Sequence, residues 1–212
     1  MAIKPILFNT EMVREILDGR KTCTRRIVKD GIPDDAMWGY SAFTPKGYIT
    51  CRGVYADGYG EGFYKLPYKP GDILYVRETW CGLPVNEAGH LRGHPIYYYK
   101  ADGDLRPEGW RGAWRPSIHM PKEAARIWLK VTDVRVERLQ DITSEQIYRE
   151  GTEVEKPFVL NGEEKRYAFS VLWNSTIKKS DLDRYGWAAN PYVFVIEFSK
   201  IDKPEEAEHE RK

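Results

Sequence analysis

Apolar residues recur along the chain with two periods, and the period changes at glycines and prolines. Between Thr10 and Asp18, Val13, Ile16 and Leu17 fall at helical spacing, Asn9 or Thr10 stands where an N-cap belongs, and Gly19 follows the last turn. A helix is predicted there. Ile73 to Glu78 follows the Pro70-Gly71-Asp72 turn with the β-branched and aromatic content of a strand, and Tyr97-Tyr98-Tyr99 reads the same way. Ile127, Leu129 and Val131 alternate, as do Val134 and Val136 after Thr132-Asp133, which predicts a strand pair or one long bulged strand. Thr143 to Arg149 reads as a second helix, capped by Thr143 or Ser144 and stopped at Gly151. Phe169, Leu172 and Trp173 mark a third, and Tyr192 to Phe198 has the pattern of a buried closing strand. The segment Ile32 to Tyr68 is dense in Gly and Tyr and reads as short strands and loops around Gly47 to Val54 and Gly58-Tyr59-Gly60.

With 212 residues and 42% hydrophobic content the chain can bury a sizeable core. One elaborated domain is expected over residues 1–201, with insertions near 32–68, 83–115 and 157–190. The nearly all-charged stretch 202–212 is expected to be a disordered tail. A formal net charge of +1 gives no global footprint for nucleic acid, so contact with RNA or DNA would have to come from a local patch. Cys23, Cys51 and Cys81 are too few and scattered for a disulfide framework, and neither a signal-peptide pattern nor a run of about 18 apolar residues is present. A cytoplasmic protein without membrane contact is expected.

The densest chemistry lies in Gly19-Arg20-Lys21-Thr22-Cys23-Thr24-Arg25-Arg26, which begins where the first helix stops. It reads either as an anion-facing active-site loop or as a solvated exit strand whose cations satisfy the last helix carbonyls. His90, His94, His119 and His209 show no HExxH spacing and the cysteines no CxxC, so neither a metal nor another cofactor is expected. Ser117 and His119 lack a GxSxG elbow, and Gly58-Tyr59-Gly60-Glu61-Gly62 lacks the lysine of a phosphate loop. Trp110 and Trp114, set among Arg106, Arg111 and Arg115, form the mixture that stacks and grips single-stranded nucleic acid or a nucleoside, or a tryptophan-anchored insertion.

Five segments in order, GRKTCTRR, PGDILYVRETW (Pro70 to Trp80), WRPSIHMPKEAARI (Trp114 to Ile127), LQDIT (Leu139 to Thr143) and PYVFVIEF (Pro191 to Phe198), resemble the ASCH family of the PUA-like superfamily. The resemblance extends from about Lys4 to Ile201 and is closest to longer, phage or prophage-type members. It implies an α+β fold: a PUA-like mixed, mainly antiparallel β-barrel with flanking helices and long loop insertions. In family members that hydrolyse N4-acetylcytidine, the lysine and second threonine of GRKTxT and a glutamate of a later helix act as base, nucleophile and proton donor. Carried over, these are Lys21, Thr24 and, by alignment of LQDITSEQIYREG, Glu150, with Glu145 as the substitute. Cys23 and Arg25 occupy variable positions.

That assignment is chemically coherent. A threonine hydroxyl needs a neighbouring base, a lysine serves only when neutral, and Arg20, Arg25 and Arg26 would favour the neutral amine if they converged on it. Arg26 would hold a developing oxyanion, and Arg20, Arg26, Trp110, Trp114 and Arg115 would bind substrate. The expected activity is metal-independent hydrolysis of the amide bond in N4-acylated cytosine nucleosides or related modified nucleobases, with a modified nucleoside or single-stranded RNA as partner. The alternatives are a non-catalytic or nuclease-type module that binds RNA or a modified base, and an accessory protein that binds a host protein through its insertions.

Overall fold

The computed structural model describes residues 1–29, 31–83, 96–106, 108, 112–152 and 162–205. The described elements, in chain order, are β1 (Ile3–Leu7), α1 (Thr10–Leu17), β2 (Cys23–Ile27), β3 (Met37–Gly39), β4 (Tyr48–Tyr55), β5 (Gly58–Lys65), β6 (Ile73–Arg77), β7 (Trp80–Leu83), β8 (Ile96–Tyr99), β9 (Trp128–Arg138), α2 (Ser144–Arg149), α3 (Gly162–Thr176), α4 (Leu182–Tyr185) and β10 (Tyr192–Ile201). The fold is mixed α+β with mainly antiparallel pairing. No described helix is long and apolar enough to cross a membrane. The chain divides into two compact units, one comprising residues 1–21, 72–130 and 199–205, the other 22–71 and 131–198.

In the first unit β1 lies parallel to β6, from Ile3 opposite Ile73 to Leu7 opposite Arg77, and β6 runs antiparallel to the start of β9, with Leu74 opposite Leu129. Strands β7 and β8 form a separate antiparallel pair, from Trp80 opposite Tyr99. The core gathers Ile73, Trp80, Met120, Ala124, Ala125 and Trp128. Helix α1 starts at Asn9, whose side chain accepts from the Met12 N–H at 2.8 Å, and it buries Val13 and Ile16. Its exit turns through Gly19 at φ +77°, a conformation that suits glycine. The Glu15 carbonyl then accepts the N–H groups of both Arg20 and Lys21 at 3.0 Å. Backbone donors, rather than the cations of the motif, therefore serve this carbonyl of the last turn.

In the second unit β2 is the terminal strand of the order β9-β10-β2, paired antiparallel to β10 from Val193 opposite Ile27 to Glu197 opposite Cys23. Strands β3, β4 and β5 form an antiparallel sheet of their own. Among the described residues both orders are open, and neither unit closes into a barrel. The two alternating runs after Ile127 prove to be the single strand β9. Leu139, Ile142, Ile147, Phe169, Trp173, Val193 and Val195 make the second core, packing α2 and α3 near β10.

Helix α2 is only six residues long, so its ends matter more than its length. Thr143 is the N-cap. Its hydroxyl accepts from the Gln146 N–H at 3.2 Å, and the Gln146 side chain accepts from the Thr143 N–H at 2.9 Å, completing a capping box. The helix ends at Glu150, with Gly151 following at φ +76°. Thr143→Ala is expected to lower unfolding stability by about 1 kcal/mol in denaturant titration; an unchanged midpoint would mean that the box does not hold the helix.

Candidate functional site

Nine described residues are polar or charged yet buried, and Lys21, Thr24, Arg25 and Glu150 are among them. Burying such groups costs free energy unless they are paired, so within the second unit the joint burial of Thr24, Arg25 and Glu150 marks a candidate site. The motif divides: Gly19 to Thr22 lead out of α1 without regular structure, whereas Cys23 to Ile27 form β2, whose first three residues are buried rather than solvated. The difference has a plain cause, since carboxylates distant in sequence neutralise the cations that otherwise argue for exposure.

Successive side chains of a strand point to opposite faces, so Cys23 and Arg25 share one face of β2 while Thr24 and Arg26 share the other. The Arg25 side chain is 1% exposed and donates in three directions: Nη1 to Glu150 Oε1 at 2.9 Å, and Nη2 to Gln146 Oε1 at 3.1 Å and Glu137 Oε2 at 3.5 Å. The Cys23 thiol, on the same face, meets the Gln146 carbonyl at 3.9 Å. Thr24, 1% exposed, is fixed by pairing opposite Ile196 of β10. Arg26 is half-buried and donates to the Arg25 carbonyl at 3.3 Å. Burial pushes its guanidinium below the ordinary value, against the upward pull of Tyr68 and Glu150.

A charge ladder continues across the second unit. Arg135 of β9 donates to Asp133 at 3.0 Å, to Glu137 at 2.5 Å and to Glu197 of β10 at 2.7 Å. Arg149, the last residue of α2, donates to the other Glu197 oxygen at 2.7 Å and, through Nε, to the Thr22 hydroxyl at 3.0 Å. Burial raises the Glu197 carboxyl, but hydrogen bonds from Arg149 and Arg135 outweigh it and hold the group below the usual carboxylate range.

In the first unit Lys21 is 2% exposed, with its ammonium 5.6 Å from the centroid of the Phe8 ring. Arg20 is ion-paired to Glu15 at 2.8 Å and Asp18 at 3.1 Å. Two of the three cations expected to act on the lysine are thus matched by carboxylates. Trp114 carries the Arg106 guanidinium 4.5 Å from its ring centroid, and Arg115 lies 5.3 Å over Trp80. Trp110, Arg111, His90 and His94 lie outside the described residues. Ser117 and His119 occupy a short 3-10 turn. Glu145 is exposed in the first turn of α2, whereas Glu150 is buried, so burial separates the two carboxylates that were candidates for the acid position.

Glu137, Gln146, Arg149 and Glu197 did not stand out in the sequence, and Arg25 was read as a cation acting on Lys21 rather than as the partner of Glu150. Part of the ladder was nonetheless written there: Asp133, Arg135 and Glu137 alternate with Val134 and Val136, the pattern of one charged and one apolar strand face. Arg25 carried no comparable signal. Comparison with protein families, characterised proteins and solved structures finds no match.

A carboxylate held low by its partners stabilises the fold above its unfolded value and loses that contribution as pH falls through the folded one. Glu197→Gln is therefore expected to cost about 1–3 kcal/mol near neutrality. The gap between variant and wild type should shrink as pH falls below the ordinary value of 4.5. A gap independent of pH in urea titrations would remove the two arginines as its cause.

Proposed function

We propose that the protein is a metal-independent amide hydrolase acting on N4-acylated cytosine nucleosides or related modified nucleobases, with an ASCH-type, PUA-like fold. The reading rests on the resemblance of GRKTCTRR and the later segments, and the observation that carries it is the state of Thr24. Thr24 is 1% exposed and sits on a strand held in place by antiparallel pairing with β10, which fixes its hydroxyl within the fold. A hydroxyl on a rigid, paired strand keeps the fixed position that a nucleophile needs.

In the proposed reaction the Thr24 oxygen attacks the acyl carbonyl as the Lys21 amine takes the hydroxyl proton. Glu150 gives a proton to the exocyclic nitrogen as the C–N bond breaks, which releases cytidine and leaves an acyl ester on Thr24. Water, losing a proton to the Glu150 carboxylate, hydrolyses that ester, and the Lys21 proton returns to the threonine oxygen. The burial of Lys21, Thr24 and Glu150 supports roles that depend on a low-dielectric setting. The mixed, mainly antiparallel α+β arrangement is compatible with the family reading. An RNA-gripping role for the Trp114 and Arg115 region has less support, since Arg106 and Arg115 already lie over ring faces of Trp114 and Trp80.

Incubation of the purified protein with N4-acetylcytidine should release cytidine and acetate, and Thr24→Ala should lower kcat by about 100- to 10,000-fold without unfolding the protein. Near-normal turnover by Thr24→Ala would exclude threonine as the nucleophile. Absence of turnover by the wild type on any N4-acylated cytidine would exclude the hydrolase reading.

A further inference from the structure

From the geometry of β2 and α2 we infer that Arg25 is a positioning residue, which fixes the Glu150 carboxylate by clamping α2 at both ends. The inference rests on the hydrolase reading for what Glu150 does, but not for the clamp itself. Glu150 is the C-cap of α2, and Gln146 is the third residue from its N-cap. One guanidinium reaches both: Nη1 bonds Glu150 Oε1 at 2.9 Å, and Nη2 bonds Gln146 Oε1 at 3.1 Å. The same Gln146 oxygen accepts the Thr143 N–H that closes the capping box. Arg25 therefore holds the start of the helix through its cap and the end through the carboxylate assigned to the chemistry.

The clamp is anchored on its far side. Glu137 Oε2 accepts from Arg25, while Glu137 Oε1 accepts from Arg135, itself bound to Asp133 and Glu197. A planar fork with donors diverging from one carbon matches these separated acceptors, and a lysine ammonium is a point donor that does not. Arg25 Nε is buried and makes no hydrogen bond among the described residues. Such unpaired polar atoms concentrate where function, rather than stability alone, set the arrangement. Alternation along β2 directs Arg25 away from the face of Thr24, which makes it a positioning residue rather than a partner of the nucleophile.

The test is a double-mutant cycle read both as turnover of N4-acetylcytidine and as denaturant stability, using wild type, Arg25→Met, Glu150→Gln and the double variant. Arg25→Lys is included as a charge-preserving variant should Arg25→Met not fold. Arg25→Met and Arg25→Lys are expected to lower kcat about 100-fold with KM little changed, the signature of a misplaced group rather than weakened binding. The double variant should turn over no more slowly than Glu150→Gln alone. If the Arg25 replacement lowers kcat by the same factor in the Glu150→Gln background, Arg25 does not act through Glu150 and the inference fails. If the wild type has no turnover, the hydrolase reading fails, and the stability cycle still decides the clamp: non-additive losses sustain it and additive losses overturn it.

Discussion

A guanidinium is not carried into a protein interior alone. The desolvation penalty is several kcal/mol per ion, and removing one partner from a buried pair costs about 3–5 kcal/mol. Arg25, with 1% of its side chain exposed, is the cation around which the second unit resolves this constraint. Glu150 and Gln146 meet it from α2 and Glu137 meets it from β9, so one side chain ties a terminal strand, a helix and a second strand together. A helix of six residues has little stability of its own, and α2 depends on such ties, on its capping box and on Ile147 in the core.

The same constraint divides the work of β2 between its faces. Cys23 and Arg25 face α2, and their contacts are structural. Thr24 belongs to the other face and is buried there. Strand pairing with β10 keeps Thr24 where it is. A rigid backbone suits a nucleophile that must not reorganise before it attacks, and under the hydrolase proposal Glu150 supplies the group that serves the leaving nitrogen.

The elements were largely legible in the sequence, for local reasons. Asn9 and Gly19 bracket α1, Thr143 and Gly151 bracket α2, and apolar alternation announces β9 and β10. What local pattern could not convey was the burial of the Arg-rich motif. Charge density argues for solvent, but the groups that neutralise Arg25 lie 112, 121 and 125 residues further along the chain. The roles of Lys21, Thr24 and Glu150 were legible only through resemblance, and Arg25, expected to act on Lys21, pairs instead with groups of α2 and β9 that local sequence could not indicate. The barrel, also an expectation from resemblance, was not announced by periodicity, and the described strands form open orders.

The central claim is that Cys23 to Ile27 form a buried strand rather than a solvated basic loop. Backbone amide hydrogen exchange on the intact protein at neutral pH tests it most directly. Peptides covering Cys23 to Ile27 should keep protected amides long after exposed loops have exchanged, because alternate N–H groups of this terminal strand bond to Val193–Glu197. Complete exchange of Cys23 to Ile27 at the earliest labelling time, with Val193 to Glu197 still protected, would contradict the account.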